Sequence, residues 1–389
     1  DADQARIMGA FTTLDQLSAT MRAEIPAKLA REFPSAATLQ TISAYDGNVT
    51  ATLHSEEPPS LYCYRNQATV TGCELSFIIA KKYTKRLEPS CLIADDIAPG
   101  FGNLLGWPDG DAVLVQPPAV RVEAVGHGIA AHMVIDYVAI DQVSREPFLQ
   151  SWKFSLLFQG GYYVACVESQ AGYKQTFAKY VDELFRNVVV TKPAAITQLG
   201  YAVAQDAQMI GLAVTRVMPA AEGKGIVEAE TQLLVQARNG QLLITENATN
   251  SERGPGGELL KQVALQADNR GAQLVFAVKA TGSEARFVTA ISKDSEQESK
   301  VELTSPLRTL LDLRADFQRL LGDAAATTAF SRIAIDNGLA VPIPFVAARD
   351  GQGRIVASTK NRVEIFTVDK TGRLLQRQAD KLTWQLLAE

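Results

Sequence analysis

From residue 328 to the C-terminus, turn signals follow one another so closely that only short strands fit between them. Asp, Asn and Gly residues cluster at 336–338, 349–353 and 369–372, and these residue types tolerate the backbone conformations of tight turns. The intervening residues are rich in β-branched and aromatic side chains, which favour strands. We therefore predict a β-meander with strands at 330–335, 341–348, 354–358, 363–368 and 374–387.

The first half of the chain reads as strands between two helices. Apolar residues recur every three or four positions over residues 5–33 and again over 173–187, a spacing that is typical of amphipathic helices. Pro26 is expected to kink the first helix or to start a second segment. Between them, residues 38–170 favour strands, including a hairpin whose strands, 152–158 and 162–167, join at a pair of glycines.

The second half begins with predicted strands at 209–217, 228–236 and 241–245. Two helices are predicted after them, a short one over 257–267 and a stronger one over 306–321. The second helix has a good start signal, because Ser305 can act as N-cap and Pro306 suits the first helical position.

A length of 389 residues favours two domains. The periodic pattern is lost around Pro193, which makes residues 188–195 the candidate linker. We predict an α+β fold with domains 1–195 and 196–389, each an antiparallel β-sheet with helices packed on one side, the second domain ending in the β-meander.

Composition excludes several classes of protein. Hydrophobic residues make up 47% of the chain and the formal net charge is -5, which argues against a disordered chain and against a dedicated nucleic-acid binder. The basic run at residues 81–86 is better explained as a solvated sheet edge than as a nucleic-acid site. The longest apolar runs are too short to cross a bilayer.

Four cysteines, all in the first half, indicate disulfides. Cys63 and Cys73 flank a strand-turn-strand pattern that could bring their sulfurs together. That arrangement pairs Cys91 with Cys166. Four cysteines allow three connectivities, and the sequence does not choose among them. The alternative is four reduced cysteines that pack as small apolar residues.

The chain opens with Asp rather than Met, as it would after removal of a signal peptide or after trimming of the sequence. Together with the even number of cysteines, this start favours a periplasmic or secreted protein, and we expect a bacterial periplasmic one.

One glycine-rich stretch has the composition of a binding loop. It carries two aromatic residues, Phe101 and Trp107, and two carboxylates, Asp109 and Asp111. Loops on a rigid scaffold commonly carry recognition residues, and exposed aromatics make good anchors. The competing interpretation is that Trp107 covers the core beside an Asp-Gly turn. The two carboxylates lack the further oxygen ligands of a calcium loop.

No residue pattern fixes a chemistry. His127 and His132 lie five residues apart, a spacing that places them on opposite faces of a strand. Either could act alone with Asp136 or Asp141, but a histidine hydrogen-bonded within a sheet is the commoner case. The sequence has no nucleophile elbow and no metal-ligand spacing of cysteine and histidine. We therefore predict no catalytic residue, no metal and no cofactor.

These observations favour a non-enzymatic extracytoplasmic binding or assembly accessory protein that acts through a protein partner. The alternative is a hydrolase or other enzyme with an active site between the two domains. A third, less favoured hypothesis is membrane-surface binding through the N-terminal helix.

Overall fold

The computed structural model describes most of the chain. The described residues are 14–32, 39–45, 47–54, 60–64, 75–79, 90–94, 107–108, 112–141, 144, 146–220, 225–238, 241–254, 259–271, 273–281, 284–292, 295–336 and 339–389.

The protein is a mostly β protein built from large antiparallel sheets, so the predicted α+β class is wrong. Strands account for 61% of the structure, and the described residues contain three α-helices. The predicted helix over 257–267 is a strand, Leu259–Asp268, which pairs with Gln273–Thr281. Its Leu, Lys, Gln and Ala residues favour helix intrinsically, but pairing with a neighbouring strand overrides such weak preferences.

The chain divides into two compact units. Unit 1 contains residues 1–194, 234–245 and 268–270, and unit 2 contains residues 195–233, 246–267 and 271–389. Three strands have residues in both units: β14 (Ile226–Arg238), β15 (Gln241–Arg253) and β16 (Leu259–Asp268).

Unit 1 holds two antiparallel sheets, one in the order β3-β4-β5-β10-β9-β8-β7 and one in the order β1-β2-β11. Its elements are β1 (Leu39–Ala44), β2 (Val49–His54), β3 (Ser60–Tyr64), β4 (Leu75–Ile79), β5 (Ser90–Ala94), β6 (Val113–Leu114), β7 (Ala119–Val125), β8 (Gly128–Ile140), β9 (Pro147–Gln159), β10 (Tyr162–Glu168), β11 (Val189–Val190), the 3-10 helix Leu14–Gln16, and the helices α1 (Ala19–Leu29) and α2 (Lys174–Arg186).

The predicted glycine hairpin and the predicted helix after it are both confirmed. Gly160 and Gly161 join β9 to β10 with φ values of 59° and 88°, which residues with a Cβ rarely adopt. Helix α2 buries one face, including Phe177, Val181 and Phe185, in the main core of unit 1. The hydrophobic stripe in the sequence therefore marks the side of α2 that covers the sheets.

Helix α1 packs on the chain's own strands. Ile25 of α1 and Leu17 before it share a small core with Val138 of β8. Two residues after the end of α1, the backbone carbonyl of Arg31 accepts a hydrogen bond from the backbone N–H of Tyr173 at the start of α2. None of the described helices is long and apolar enough to cross a membrane.

Unit 2 contains the predicted meander within an antiparallel run of strands in the order β20-β21-β22-β23-β24-β25-β12-β13. Strands β16 to β19 form a second antiparallel run. The elements not yet given are β12 (Thr197–Gln205), β13 (Gln208–Pro219), β17 (Gln273–Thr281), β18 (Glu284–Ser292), β19 (Ser295–Glu302), α3 (Leu313–Gly322), β20 (Thr327–Asp336), β21 (Leu339–Arg349), β22 (Ile355–Ser358), β23 (Val363–Val368), β24 (Leu374–Ala379) and β25 (Leu382–Ala388).

Two predicted boundaries in unit 2 are wrong. The predicted strand 374–387 is two strands, β24 and β25, because the chain turns at Asp380 with a φ of 52°. Helix α3 begins at Leu313 rather than at Pro306. Leu307 instead bridges to Ser331, and Thr309 donates its backbone N–H to Asp312. These contacts replace the first turns of the predicted helix.

The structure contains a disulfide between Cys91 and Cys166. This is the pair expected in the connectivity that also joins Cys63 to Cys73. Cys91 and Cys166 are directly opposite each other on β5 and β10, with their Cα atoms 4.1 Å apart. Both are buried in the main core of unit 1. The side chain of Cys63 and the whole of Cys73 lie outside the described residues.

Lys153 is a fully buried cation in unit 1. Its ammonium group donates to the carbonyl oxygens of Ser151, Gln170 and Gly172 at 3.0, 2.6 and 2.9 Å. The last two carbonyls belong to the turn that leads into α2. Burial lowers the pKa of Lys153 to about 8, against the opposing charges of Glu168 and Asp136. Lys153 therefore fixes this turn to β9 at a cost in desolvation.

Replacing both cysteines in the Cys91→Ala/Cys166→Ala variant is expected to lower the free energy of unfolding by about 4 kcal/mol, because the disulfide closes a loop in the unfolded chain. The closed loop spans a sequence separation of 75. Urea denaturation at pH 7 measures the difference. A loss below about 1 kcal/mol would contradict the account.

The buried Lys153 predicts a gain in stability at alkaline pH. Between pH 8 and the ordinary lysine pKa of 10.5, the unfolded chain keeps the proton while the folded chain releases it, so stability rises with pH. From pH 8 to pH 10, the free energy of unfolding should rise by about 2 kcal/mol more in the wild type than in Lys153→Met. Equal slopes in urea titrations of the two proteins would show that Lys153 keeps an ordinary pKa.

Candidate functional site

Unit 2 contains a cavity of about 400 Å³ that is lined by polar, charged and apolar side chains. Two adjacent stretches of sequence supply its polar wall. Glu228, Glu230 and Gln232 alternate along β14, and Asn247, Thr249 and Ser251 alternate along β15. Residues two apart on a strand project from the same face. One polar face of β14 and one polar face of β15 therefore line the unit-2 cavity.

Four arginines also line the cavity: Arg308, Arg332, Arg362 and Arg377. Two of them share one carboxylate. Glu364 accepts hydrogen bonds from Nη1 of Arg332 at 2.8 and 3.2 Å and from Nε and Nη2 of Arg377 at 3.0 and 3.2 Å. Burial by itself would raise the pKa of Glu364, but the two guanidinium charges outweigh burial and hold the pKa below its ordinary value.

Arg377 also contacts an aromatic ring. Its guanidinium carbon lies 4.5 Å from the centre of the Trp384 ring, a cation–π geometry. Trp384 is buried and lines the same cavity. Glu364 and Trp384 thus hold Arg377 from two sides.

A second carboxylate holds the segment before α3. Glu228 accepts hydrogen bonds from Arg253 at 2.8 Å and from the hydroxyl of Thr309 at 2.7 Å, and Arg253 also pairs with Asp312. Burial, with a contribution from the nearby charge of Glu230, raises the pKa of Glu228. This network keeps residues 307–310, four of the lining residues, against the cavity.

The other two guanidinium groups, on Arg308 and Arg362, differ in their bonding, and Arg362 acts on Glu364 through its charge alone. Within the part of the chain that the structure describes, the side chains of Arg308 and Arg362 form no hydrogen bond and no ion pair. The rest of the lining comprises the polar Gln262 and the apolar Leu259, Phe276, Leu307, Leu310 and Ile333. The unit-2 cavity thus combines two guanidinium groups that have no bonded partner among the described residues with a mostly polar wall that has an apolar part.

The predicted binding loop is described only in part. Phe101, Asp109 and Asp111 lie outside the described residues. Trp107 belongs to unit 1 and is half-buried; its indole N–H is buried and has no hydrogen-bond partner among the described residues. The next residue, Pro108, accepts a hydrogen bond from Asn269 at 3.0 Å. The binding role of this loop remains a prediction.

The two histidines considered as catalytic candidates lie apart from the aspartates suggested for them. His127 is exposed in the turn between β7 and β8, and Nδ1 of His132 lies 2.9 Å from the hydroxyl of Ser155. Asp136 instead accepts hydrogen bonds from Ser151 at 2.6 Å and from Lys174.

The sequence predicts strands in this region but does not predict the cavity. The signal was present in the alternation of polar residues at 228–232 and at 247–251 within strand-like stretches. A polar face on a strand usually indicates solvent. The polar faces of β14 and β15 line a cavity because residues of other strands, such as Arg332 and Trp384, line it as well, and the sequence does not show which strands these are.

The chain has only a distant likeness to a known protein structure. No protein-family model matches the chain, and no curated protein matches it. Among solved structures, the chain is similar to a beta-barrel-like protein of the domain of unknown function DUF1849 from Brucella abortus, with 11% identity and a TM-score of 0.36 over 49% of this chain and 95% of that chain. A likeness at this level carries no argument about fold or function.

Glu364→Gln should lower the free energy of unfolding by about 3 kcal/mol, because it leaves two largely buried guanidinium groups, which are 20% and 13% exposed, without their counter-charge. Since the pKa of Glu364 is lowered in the folded chain, its contribution is complete above the ordinary glutamate pKa and is lost as the pH falls through the lowered value. Urea unfolding at pH 7 measures the effect.

The matched control is Glu284→Gln, because Glu284 is an exposed carboxylate that lies 3.7 Å from Lys300. This substitution should cost less than about 0.5 kcal/mol. Similar losses in the two variants would contradict the assigned role of Glu364.

Proposed function

We propose that this protein is a binding protein that holds a small anionic molecule with an apolar part in the unit-2 cavity. The observation that carries this proposal is the pair of guanidinium groups, on Arg308 and Arg362, that line the cavity without a partner among the described residues. Guanidinium groups bind carboxylate, sulfate and phosphate groups through paired hydrogen bonds.

The charge of the lining residues favours an anion over a cation. Four arginines and two glutamates line the cavity. One of the glutamates, Glu228, is already bonded to Arg253 and Thr309. Glu364 neutralises part of the charge of Arg332 and Arg377. The lining therefore carries an excess of positive charge, to which Arg308 and Arg362 contribute without a bonded partner among the described residues.

The size and the apolar wall indicate the rest of the ligand. A volume of about 400 Å³ is within the range of small-molecule sites. Phe276 and Trp384 offer aromatic surface, and the leucines of the 307–310 segment offer aliphatic surface. An organic anion uses both kinds of surface, whereas a bare inorganic ion would leave the apolar wall exposed to water.

We further propose that the protein works outside the cytoplasm, in a bacterial periplasm or after secretion. The Cys91–Cys166 disulfide supports this location, because disulfides persist mainly in oxidising compartments. This proposal keeps the extracytoplasmic binding role that the sequence favoured and replaces its protein partner with a small molecule.

The test uses two fluorescent probes that differ in charge. 1-Anilinonaphthalene-8-sulfonate carries a sulfonate, and N-phenyl-1-naphthylamine is a neutral analogue. The wild type should bind the sulfonate more tightly than the neutral probe. Arg308→Gln and Arg362→Gln should each raise the Kd for the sulfonate about tenfold, the loss expected for one charge-assisted hydrogen bond, and should leave the neutral probe unaffected.

The matched control is Arg286→Gln, since Arg286 is exposed in unit 2 and pairs with Glu298. This variant should bind both probes as the wild type does. If the Arg308→Gln/Arg362→Gln double variant binds the sulfonate as tightly as the wild type, the unit-2 cavity is not the anion site.

A further inference from the structure

A second cluster of chemically active side chains lies in unit 1, apart from the residues of the proposed function. Glu123 on β7, His132 on β8 and Asp182 on α2 come together there. Nε2 of His132 is 3.3 Å from a carboxylate oxygen of Glu123 and 4.0 Å from one of Asp182. One ligand atom from each of the three residues lies within 4.8 Å of the other two.

The histidine is held so that one ring nitrogen faces the two carboxylates. Nδ1 lies 2.9 Å from the hydroxyl of Ser155, whereas Nε2 is buried and forms no hydrogen bond with the described residues. The side chain of His132 is only 11% exposed. When Nδ1 carries the proton and donates it to Ser155, the lone pair of Nε2 points toward two carboxylates, an arrangement that a cation would stabilise.

We propose that Glu123, His132 and Asp182 form a binding site for a divalent transition-metal ion such as Zn²⁺. Zinc binds histidine nitrogen and carboxylate oxygen at about 2.0–2.2 Å, so neighbouring ligand atoms in a tetrahedral site lie roughly 3.4 Å apart. The Glu123–His132 separation already has this length, and a small rotation of Asp182 brings in the third ligand. Solvent would supply the fourth.

Arg121 competes for the same carboxylates. Its guanidinium lies 3.0 Å from Asp182 and 3.4 Å from Glu123. Arg121 and His132 are directly opposite each other in the β7–β8 pairing. The Arg121 side chain is 51% exposed, so it can turn into solvent when a metal ion binds. The bound ion would then take over from Arg121 the attachment of α2 to the β7–β8 hairpin.

The sequence predicted no metal because it placed no ligands at a recognisable spacing. The register of β7 and β8 makes Glu123, which is opposite Ala130, a diagonal neighbour of His132, and Asp182 lies on a helix 50 residues farther along the chain. The exposed His127, in contrast, takes no part in the cluster. It therefore serves as a control for metal binding by a surface histidine.

The experiment is calorimetric titration of the whole chain with ZnCl₂ at pH 7.5 in a non-chelating buffer. One ion per chain is expected. His132→Gln and Glu123→Gln should each weaken zinc binding at least tenfold. Loss of a residue that only hydrogen-bonds a metal ligand already lowers metal affinity by about tenfold or more, and loss of a ligand itself should cost at least as much. His127→Gln should bind as the wild type does. Arg121→Gln should bind more tightly, because it removes the competing cation.

Glu123 is 39% exposed, so Glu123→Gln tests the site without disturbing the core if His132→Gln fails to fold. The absence of zinc binding by the wild type, equal affinity in Glu123→Gln, or weaker binding by Arg121→Gln would each overturn the proposal. None of these outcomes bears on the unit-2 cavity, because the two sets of residues belong to different units.

Discussion

The pairing of Glu364 with Arg332 and Arg377 is the interaction on which the unit-2 cavity depends. Glu364 lies on β23, Arg332 on β20 and Arg377 on β24. The pairing of these strands with their neighbours brings the three side chains together. Two guanidinium groups that meet in a buried place repel each other and lose hydration. One carboxylate bonded to both removes that cost. It allows the cavity to be lined with arginines, of which Arg308 and Arg362 form no hydrogen bond or ion pair with their side chains among the described residues.

Unit 1 handles buried charge in a different way. Among the described residues, Lys153 donates hydrogen bonds to three backbone carbonyls and to no carboxylate. Its charge is thereby used to fix a turn, and its lowered pKa records the cost of burial. Among the described residues, His132 forms a side-chain hydrogen bond through Nδ1 alone, with Ser155. Lys153 is thus a buried cation with three hydrogen-bond acceptors. His132 instead directs Nε2 toward the carboxylates of Glu123 and Asp182.

The sequence predicted the elements that depend on residues close together in the chain. The glycine hairpin between β9 and β10, helix α2 and most strands of the meander follow from periodicity and turn residues. It failed where a distant partner decides the structure. Residues 259–268 have a helical composition but pair with β17, and α3 starts late because Thr309 and Asp312 bond to Arg253. The cavity escaped prediction for the same reason, since Arg332 and Glu364 are 32 residues apart.

The most direct test of the central claim uses the three tryptophans of the chain as reporters. Trp384 lines the unit-2 cavity, whereas Trp107 and Trp152 belong to unit 1. Fluorine NMR of protein labelled with 5-fluorotryptophan, assigned with Trp384→Phe, follows all three during titration with 1-anilinonaphthalene-8-sulfonate. The account predicts that the Trp384 resonance shifts and that the resonance of the buried Trp152 stays in place. Binding of the probe with no change at Trp384 would contradict it.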